Sequence, residues 1–436
     1  MKRYMIKEIK NITENDKEYL AKGWVCYKRD LGKTKFLVLQ DRSGELQAVA
    51  DDNPELRDAY QKINLGDVIA VRGRAHEEER APGGIELKVE QLEIVNPCEQ
   101  PTPIPLDRRS HRKDTDINKR LDYRYLDLRY KPVADIFKLR AEFTKAVREY
   151  LNMNDFIEIQ TPKIVAAATE GGANLFPIEY FNTDAYLAQS PQFYKQMMMA
   201  SGLERVFEIA PAFRAERHNT IRHVNEFTSI DLEMSFIESD EDIMEIEENM
   251  LAYSLEKLVT FAKENDIKAN IKVPKLPFQR LDAEQIYGIL KEKGQDVVFG
   301  EDIKPEYEKI ISSYIKEKTG EEFVFLTKYP AELRPLYAKK DESNPRMTKS
   351  FDLLYRGSEI TTGGQRINSY EELKQAFIDK GRNPEDYKFY LDTFRYGMPP
   401  HGGLGLGLDR FIALLAEKEN IREAVLFPRD KSRLVP

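Results

Sequence analysis

Cysteine is nearly absent from these 436 residues: Cys26 and Cys98 stand far apart, with no CxxC and no histidine at ligand spacing. That excludes a disulfide framework and argues against a zinc centre. Long apolar runs are missing too. Nothing approaches the ~18 residues of a spanning helix, and the opening MKRYMIKEIKN lacks the apolar stretch of a secretory signal. The expectation is a soluble, cytoplasmic chain with no membrane role. No GxxxxGK[ST] loop occurs, so any nucleotide is held by other means. Ser/His/Asp and Cys/His arrangements, repeats and low-complexity tracts are absent as well.

What is present is charge: 33% of residues are charged and 41% hydrophobic, with a formal net charge of -8. A negative balance disfavours binding to a phosphate backbone. Its distribution is uneven, however. Residues 108–149 carry 13 Lys/Arg against 7 Asp/Glu, whereas residues 231–270 carry 3 against 12. One basic stretch is thus available to an anionic partner, although a solvated helix face fits it equally. The length calls for two or three domains.

Residues 19–95 read as five short strands, GWVCYKR, KFLVLQD, ELQAVAD, DVIAVRGRA and IELKVEQLEIV, parted by turn signals. A helical piece, PELRDAYQKI, lies between the third and fourth. This suits a small OB-type barrel, with an SH3-like barrel as the alternative. The four prolines of NPCEQPTPIPLD then signal an extended linker. Beyond it, VADIFKLRAEFTKAVREYLNMN has helical periodicity and FIEIQTP alternates like a strand ended by Pro162. Later strands and helices follow without regular alternation, which favours an antiparallel α+β domain. The expected division is a barrel over 1–103, a hinge over 104–132 and a larger domain over 133–436.

Two constellations carry chemistry. Residues 207–234, FEIAPAFRAERHNTIRHVNEFTSIDLEM, flank a polar loop that holds Arg214, Glu216, Arg217, His218, Arg222 and His223. Such cation density points to an anion, or to an exposed basic hairpin tip. HGGLGLGLDRF, 401–411, sets four glycines ahead of a helix beginning near Leu408, with Arg410 in its first turn. Glycines admit close backbone approach and a helix start attracts negative charge, although such a run is most often a tight turn.

FRAER (213–217), GLGLDR (405–410) and the helix, strand and Pro162 ahead of them resemble motifs 2, 3 and 1 of the class II aminoacyl-tRNA synthetases. The barrel in front resembles the aspartyl, asparaginyl and lysyl subgroup. The chain's compactness after motif 3 is similar to the archaeal aspartyl branch. The resemblance implies an OB-fold anticodon-binding domain, a catalytic antiparallel sheet flanked by helices, a homodimer, and Mg²⁺ with ATP. By resemblance Arg214 meets the ATP α-phosphate, Glu216 the adenine amino group and His223 the γ-phosphate, with Arg222 also among the ATP-binding residues. Phe227 stacks under adenine, and Glu359, Gly407 and Arg410 close the nucleotide site. Asp352 and Glu359, on a hairpin turning at RGS, are the implied Mg²⁺ ligands. Read as bare acids, they are more often solvated or paired.

The same resemblance assigns Lys195 and Arg366 to a substrate carboxylate, and Ser190, Gln192 and Asp231 to its amino end. Those residues favour L-aspartate over asparagine, and an acidic pocket for lysine is missing. Glu170, in the glycine-bearing loop AAATEGGANLF (166–176), looks like part of a lid. Arg29, Phe36 and Gln47 match anticodon readers, although Phe36 taken alone reads better as barrel core. Cys26 departs from the Trp or His usual at its position, which leaves tRNA(Asn) open as a second substrate beside tRNA(Asp). An asparaginyl enzyme and a catalytically silent class II paralogue are the competing readings.

Overall fold

The computed structural model describes residues 2–11, 17–51, 53–106, 115–166, 174–217 and 220–436. They form two compact units, Met1–Ala134 with Pro436, and Asp135–Val435. No helix among the described residues is long and apolar enough to cross a membrane.

The first unit is a closed barrel of β1 (Glu18–Asp30), β2 (Thr34–Asp41), β3 (Gly44–Asp51), β4 (Val68–Glu77) and β5 (Ile85–Asn96), ordered β1-β2-β3-β5-β4. Strict alternation explains it: Leu37 and Leu39, Leu46, Ala48 and Ala50, Ile69 and Val71, Leu87 and Val89 all point inward. At Gly73 a Cβ would sit 2.0 Å from the Lys88 carbonyl oxygen, so only glycine lets β4 and β5 close there. The helix Pro54–Lys62 caps this core with Leu56 and Tyr60. Asn53 starts it by accepting from the amides of Glu55 and Leu56. All five strands and this helix lie where periodicity places them. The proline stretch carries no helix or strand over 97–106, and the hinge becomes helical only beyond it. The hinge carries helices Ile117–Asp122 and Arg124–Asp127, with Arg120 and Arg124 paired to the buried Asp127.

The second unit holds β6 (Ile157–Glu158), β7 (Ile164–Val165), β8 (Pro177–Tyr180), β9 (Thr183–Leu187), β10 (Arg205–Phe213), β11 (Glu226–Ser235), β12 (Gln279–Asp282), β13 (Phe323–Thr327), β14 (Ser350–Tyr355), β15 (Ser358–Gln365) and β16 (His401–Gly407). Eight of them make one sheet, β12-β13-β14-β15-β16-β11-β10-β6; β7, β9 and β8 form a small second sheet. Two corrections follow. The large sheet is mixed, because β12 runs parallel to β13 and β6 parallel to β10, while its middle is antiparallel. The strand expected over FIEIQTP shrinks to two residues because the Glu208 carboxylate captures the Thr161 amide and hydroxyl, at 2.9 and 2.8 Å, in place of a ladder.

One sheet face is apolar. Ile230, Leu232, Leu404 and Leu406 join an apolar cluster with residues of the helices Lys131–Met153, Glu241–Glu264 and Leu408–Leu415. Within it lies an exception, Glu247, fully buried with neither carboxylate oxygen hydrogen-bonded by geometry. Burial pushes its carboxyl up to about 8. A raised acid binds its proton more tightly folded than unfolded, so its contribution to stability is intact at low pH and is lost as pH rises through the folded value. Glu247→Gln should therefore melt like the parent at pH 5 and be more stable at pH 8.5, by on the order of 4 kcal/mol. Denaturant titrations at both pH values read this out, and equal gains at the two would show the residue is not titrating.

Candidate functional site

The opposite face of the sheet carries the site, and its shape follows from side-chain parity. In register, Ser229 faces Gly407, Asp231 faces Gly405 and Glu233 faces Gly403. From Gly403 onward every residue that β16 turns to this face is thus glycine, while Leu404 and Leu406 go to the core. The run read as a glycine-rich turn is a strand. A Cβ on Gly403 would lie 2.2 Å from Glu233 Oε2, so the side chains of β11 occupy the room that β16 leaves. Above this floor sits a cavity of about 330 Å³, whose lining includes Gln192, Arg214, Asp231, Glu359, Arg366 and Arg410.

At one end, two cations and two carboxylates are almost wholly buried. Lys195, from the helix Gln192–Met197, donates to Asp231 Oδ1 at 2.8 Å and to the Leu404 carbonyl at 2.7 Å, with Glu233 3.6 Å away. Arg366 grips Glu233 through Nε at 2.9 Å and reaches the Gly403 carbonyl at 2.8 Å. Burial works against the Arg366 charge, but Glu233 more than offsets it and raises the guanidinium's pKa. The Ser190 hydroxyl accepts from the Gln192 amide, and Gln192 Nε2 is buried without a hydrogen-bond partner.

The other end is built for phosphate. Arg214 leaves the end of β10 and its guanidinium lies 5.3 Å from the centre of the Phe227 ring. Arg410, in the first turn of the helix Leu408–Leu415, donates to the Glu359 carbonyl at 2.7 Å. Burial lowers its pKa first of all, partly offset by Glu359. Asp409 anchors that turn by accepting from the Thr228 amide and pairing with Arg140. Arg222 reaches Glu308 at 2.7 Å and also Ser358; His223 contacts Thr220 at 2.7 Å. Glu216 and Gly407 line the same cavity.

The hairpin's two acids share a face, and a bulge adds Thr362 to it. Leu354 pairs with Glu359 but Leu353 with Thr361, so Ile360 is the extra residue and Glu359 shares a face with Thr362 and Asp352. Burial, and then the charge of Asp352, push the Glu359 carboxyl up to about 7. Asp352 does not line the cavity; Arg334 holds its Oδ2 at 2.8 Å and Oδ1 is buried without a hydrogen bond.

In the barrel, Phe36 pairs in register with Arg29 and Val49 on the outer face, absent from the core cluster. The core reading of Phe36 therefore fails. Gln47 is on the same face and donates to Glu86 at 2.9 Å. Cys26 is the bulged residue between Val25 and Tyr27 and is buried, its Sγ 3.3 Å from the Val38 carbonyl. Glu170 and His218 lie outside the described residues. Glu233, Glu308 and Arg334 are the site residues missed in sequence. Glu233 alone had a signal, standing two residues after Asp231 on an alternating strand.

Residues 116–431 match the family model of class II tRNA synthetases (D, K and N), and residues 19–95 match the OB-fold nucleic acid binding domain. The chain is 45% identical to the aspartate–tRNA(Asp) ligase of Pyrococcus furiosus over 98% of both chains. It is also 45% identical to the aspartate–tRNA(Asp/Asn) ligase of Methanocaldococcus jannaschii, covering 96% of this chain and 95% of that one. Among solved structures, asparaginyl-tRNA synthetase from Pyrococcus horikoshii, complexed with asparaginyl-adenylate, superposes with a TM-score of 0.93 at 32% identity over 100% of both chains.

Proposed function

The chain belongs to the class II tRNA synthetases of the D, K and N group, and from that premise we propose that its cavity joins L-aspartate to ATP and hands the aspartyl group to the 3′ end of tRNA(Asp). The supporting observation is that Arg366 and Asp231 lie in the cavity wall that also bears Arg214 and Arg410, with the buried Lys195 paired to Asp231. An aspartate side chain needs such cations, because an unpaired buried carboxylate is costly. Ser190, Gln192 and Asp231 take the ammonium end, with the unpartnered Gln192 amide ready for an acceptor.

In the first step an oxygen of the α-carboxylate bonds to the α-phosphorus and pyrophosphate leaves. The carboxylate is already ionised, so no general base is required. Arg214 and Arg410 meet the charge that builds on the phosphorus oxygens, and fixed donors stabilise it more than the ground state. Phe227 and Glu216 receive adenine, Gly407 admits the nucleotide backbone-close, and Arg222 and His223 face the outer phosphates. In the second step a tRNA hydroxyl attacks the aspartyl carbonyl and AMP leaves.

Asp352 and Glu359 fit Mg²⁺: one buried carboxylate oxygen has no hydrogen bond, and the two acids share one face of the sheet. When bound, the ion neutralises phosphate oxygens. The cofactor reading includes no zinc. The division into 1–103, 104–132 and 133–436 is retained as anticodon-binding domain, hinge and catalytic domain. Exposed Met153, Leu203 and Phe236 lie at one end of the sheet, tied by the Arg205–Asn154 and Ser235–Glu204 bonds, and supply an apolar surface for a homodimer.

Pyrophosphate exchange with Asp, Asn and Lys in turn tests the assignment. Exchange with Asp alone is expected; exchange with Asn alone would make the enzyme asparaginyl, and none would make it silent. Charging of purified tRNA(Asp) and tRNA(Asn) decides the second substrate. Arg29, Phe36 and Gln47 present a cation, a ring and an amide to an unpaired base. Stacking on such a ring is worth about 1–3 kcal/mol. Phe36→Ala should therefore raise the KM for tRNA about 5- to 150-fold and leave tRNA-free exchange unchanged, measured on one preparation.

A further inference from the structure

Building on that reading, we propose that Arg334 is a further phosphate-binding residue, gripping the ATP oxygens that leave as pyrophosphate. Arg334 follows the short 3₁₀ turn Ala331–Leu333 and lines the cavity. Its guanidinium lies 3.6 Å from the centre of the buried Tyr329 ring and 2.8 Å from Asp352 Oδ2, so its plane is held from below and at one edge. The side chain is only 9% exposed, yet Nε and Nη2 make no properly directed hydrogen bond. Each buried donor left unused costs about 1–3 kcal/mol. A ligand that supplies oxygens recovers that cost.

The position of Asp352 chooses between the anions of the reaction. Asp352 pairs with Thr362, Thr362 with Gly405 and Gly405 with Asp231, which puts three strand spacings between Asp352 and the aspartate end. At about 4.8 Å per strand that is roughly 14 Å, well beyond the reach of a four-carbon dicarboxylate whose ammonium rests on Asp231. The side-chain carboxylate already has Lys195 and Arg366. Arg334 stands instead beside Asp352 and close to Glu359, the phosphate end of the cavity. Tyr329 supplies the rigid platform, Asp352 fixes one edge, and the guanidinium so held lines the cavity that receives the triphosphate.

The test compares ATP with AMP at saturating Mg²⁺, in equilibrium binding to the parent, Arg334→Gln and Arg334→Lys. Losing a charge-assisted fork should weaken ATP binding about tenfold or more in both variants, leave AMP within about twofold, raise the KM for pyrophosphate in parallel and spare the KM for aspartate. The lysine variant keeps a cation on Asp352, so it carries the test if the glutamine variant does not fold. Equal losses for ATP and AMP, a rise confined to aspartate, full recovery with more Mg²⁺, or no change would each overturn the proposal. If the parent binds ATP but shows no aspartate-dependent exchange, the activity reading fails while the ATP against AMP comparison still judges Arg334.

Discussion

Arg366→Ala should abolish aspartate-dependent pyrophosphate exchange, by about 10⁴-fold, while ATP still binds. Arg366 is the sole ion-pair partner within 3 Å of Glu233 among the described residues, and Glu233 is wholly buried. Removing one member of a buried pair costs about 3–5 kcal/mol, because the other is left charged in a dry site. Lys195, 3.6 Å away, is the nearest replacement. If it turns toward Glu233 it gives up Asp231, and the ammonium subsite is lost together with the carboxylate grip. The nucleotide end is built from Arg214, Arg222 and Arg410, so calorimetric ATP affinity should survive. Arg366→Lys separates charge from geometry: it keeps the ion pair but not the planar fork, and should recover stability more than activity. Unchanged aspartate kinetics in the alanine variant would remove Arg366 from the pocket.

This pair also marks how far a sequence can be read. Alternation in EFTSIDLE puts Asp231 and Glu233 on one face, so a second acid beside Lys195 and Arg366 was legible in principle. The free protein uses these acids to neutralise the cations that resemblance gives to the substrate. The barrel was legible for a simpler reason: its strands repeat every two residues and its turns carry Gly, Asp and Ser. Glu308 was not, since nothing in the helix Pro305–Thr319 announces that one acid reaches Arg222. Nor was Arg334, whose meaning arises only when Tyr329 and Asp352 fold around it. The hairpin's acids were legible, because the two-residue Arg356–Gly357 turn pairs Leu354 with Glu359 and strand alternation puts Asp352 on the face of Leu354; what was not legible is the bulge at Ile360, which brings Thr362 to the same face.

Arg214→Ala should lower the rate of exchange about 10²- to 10³-fold with little change in melting temperature. The contrast with Arg366 rests on what each guanidinium does before substrate arrives. Arg214 is exposed and, among the described residues, has no ion pair; its guanidinium lies over the Phe227 ring. Deleting it uncovers no buried charge, so the folded state loses little. Its contribution appears when phosphate oxygens gain charge between it and Arg410, whose own position is fixed by the Glu359 carbonyl. Because a fixed donor of this kind acts mainly on the transition state, the loss should fall on kcat more than on the KM for ATP. Stopped-flow adenylate formation at saturating ATP separates the two. A large rise in KM with kcat intact would make Arg214 a ground-state binder and leave Arg410 alone with the developing charge.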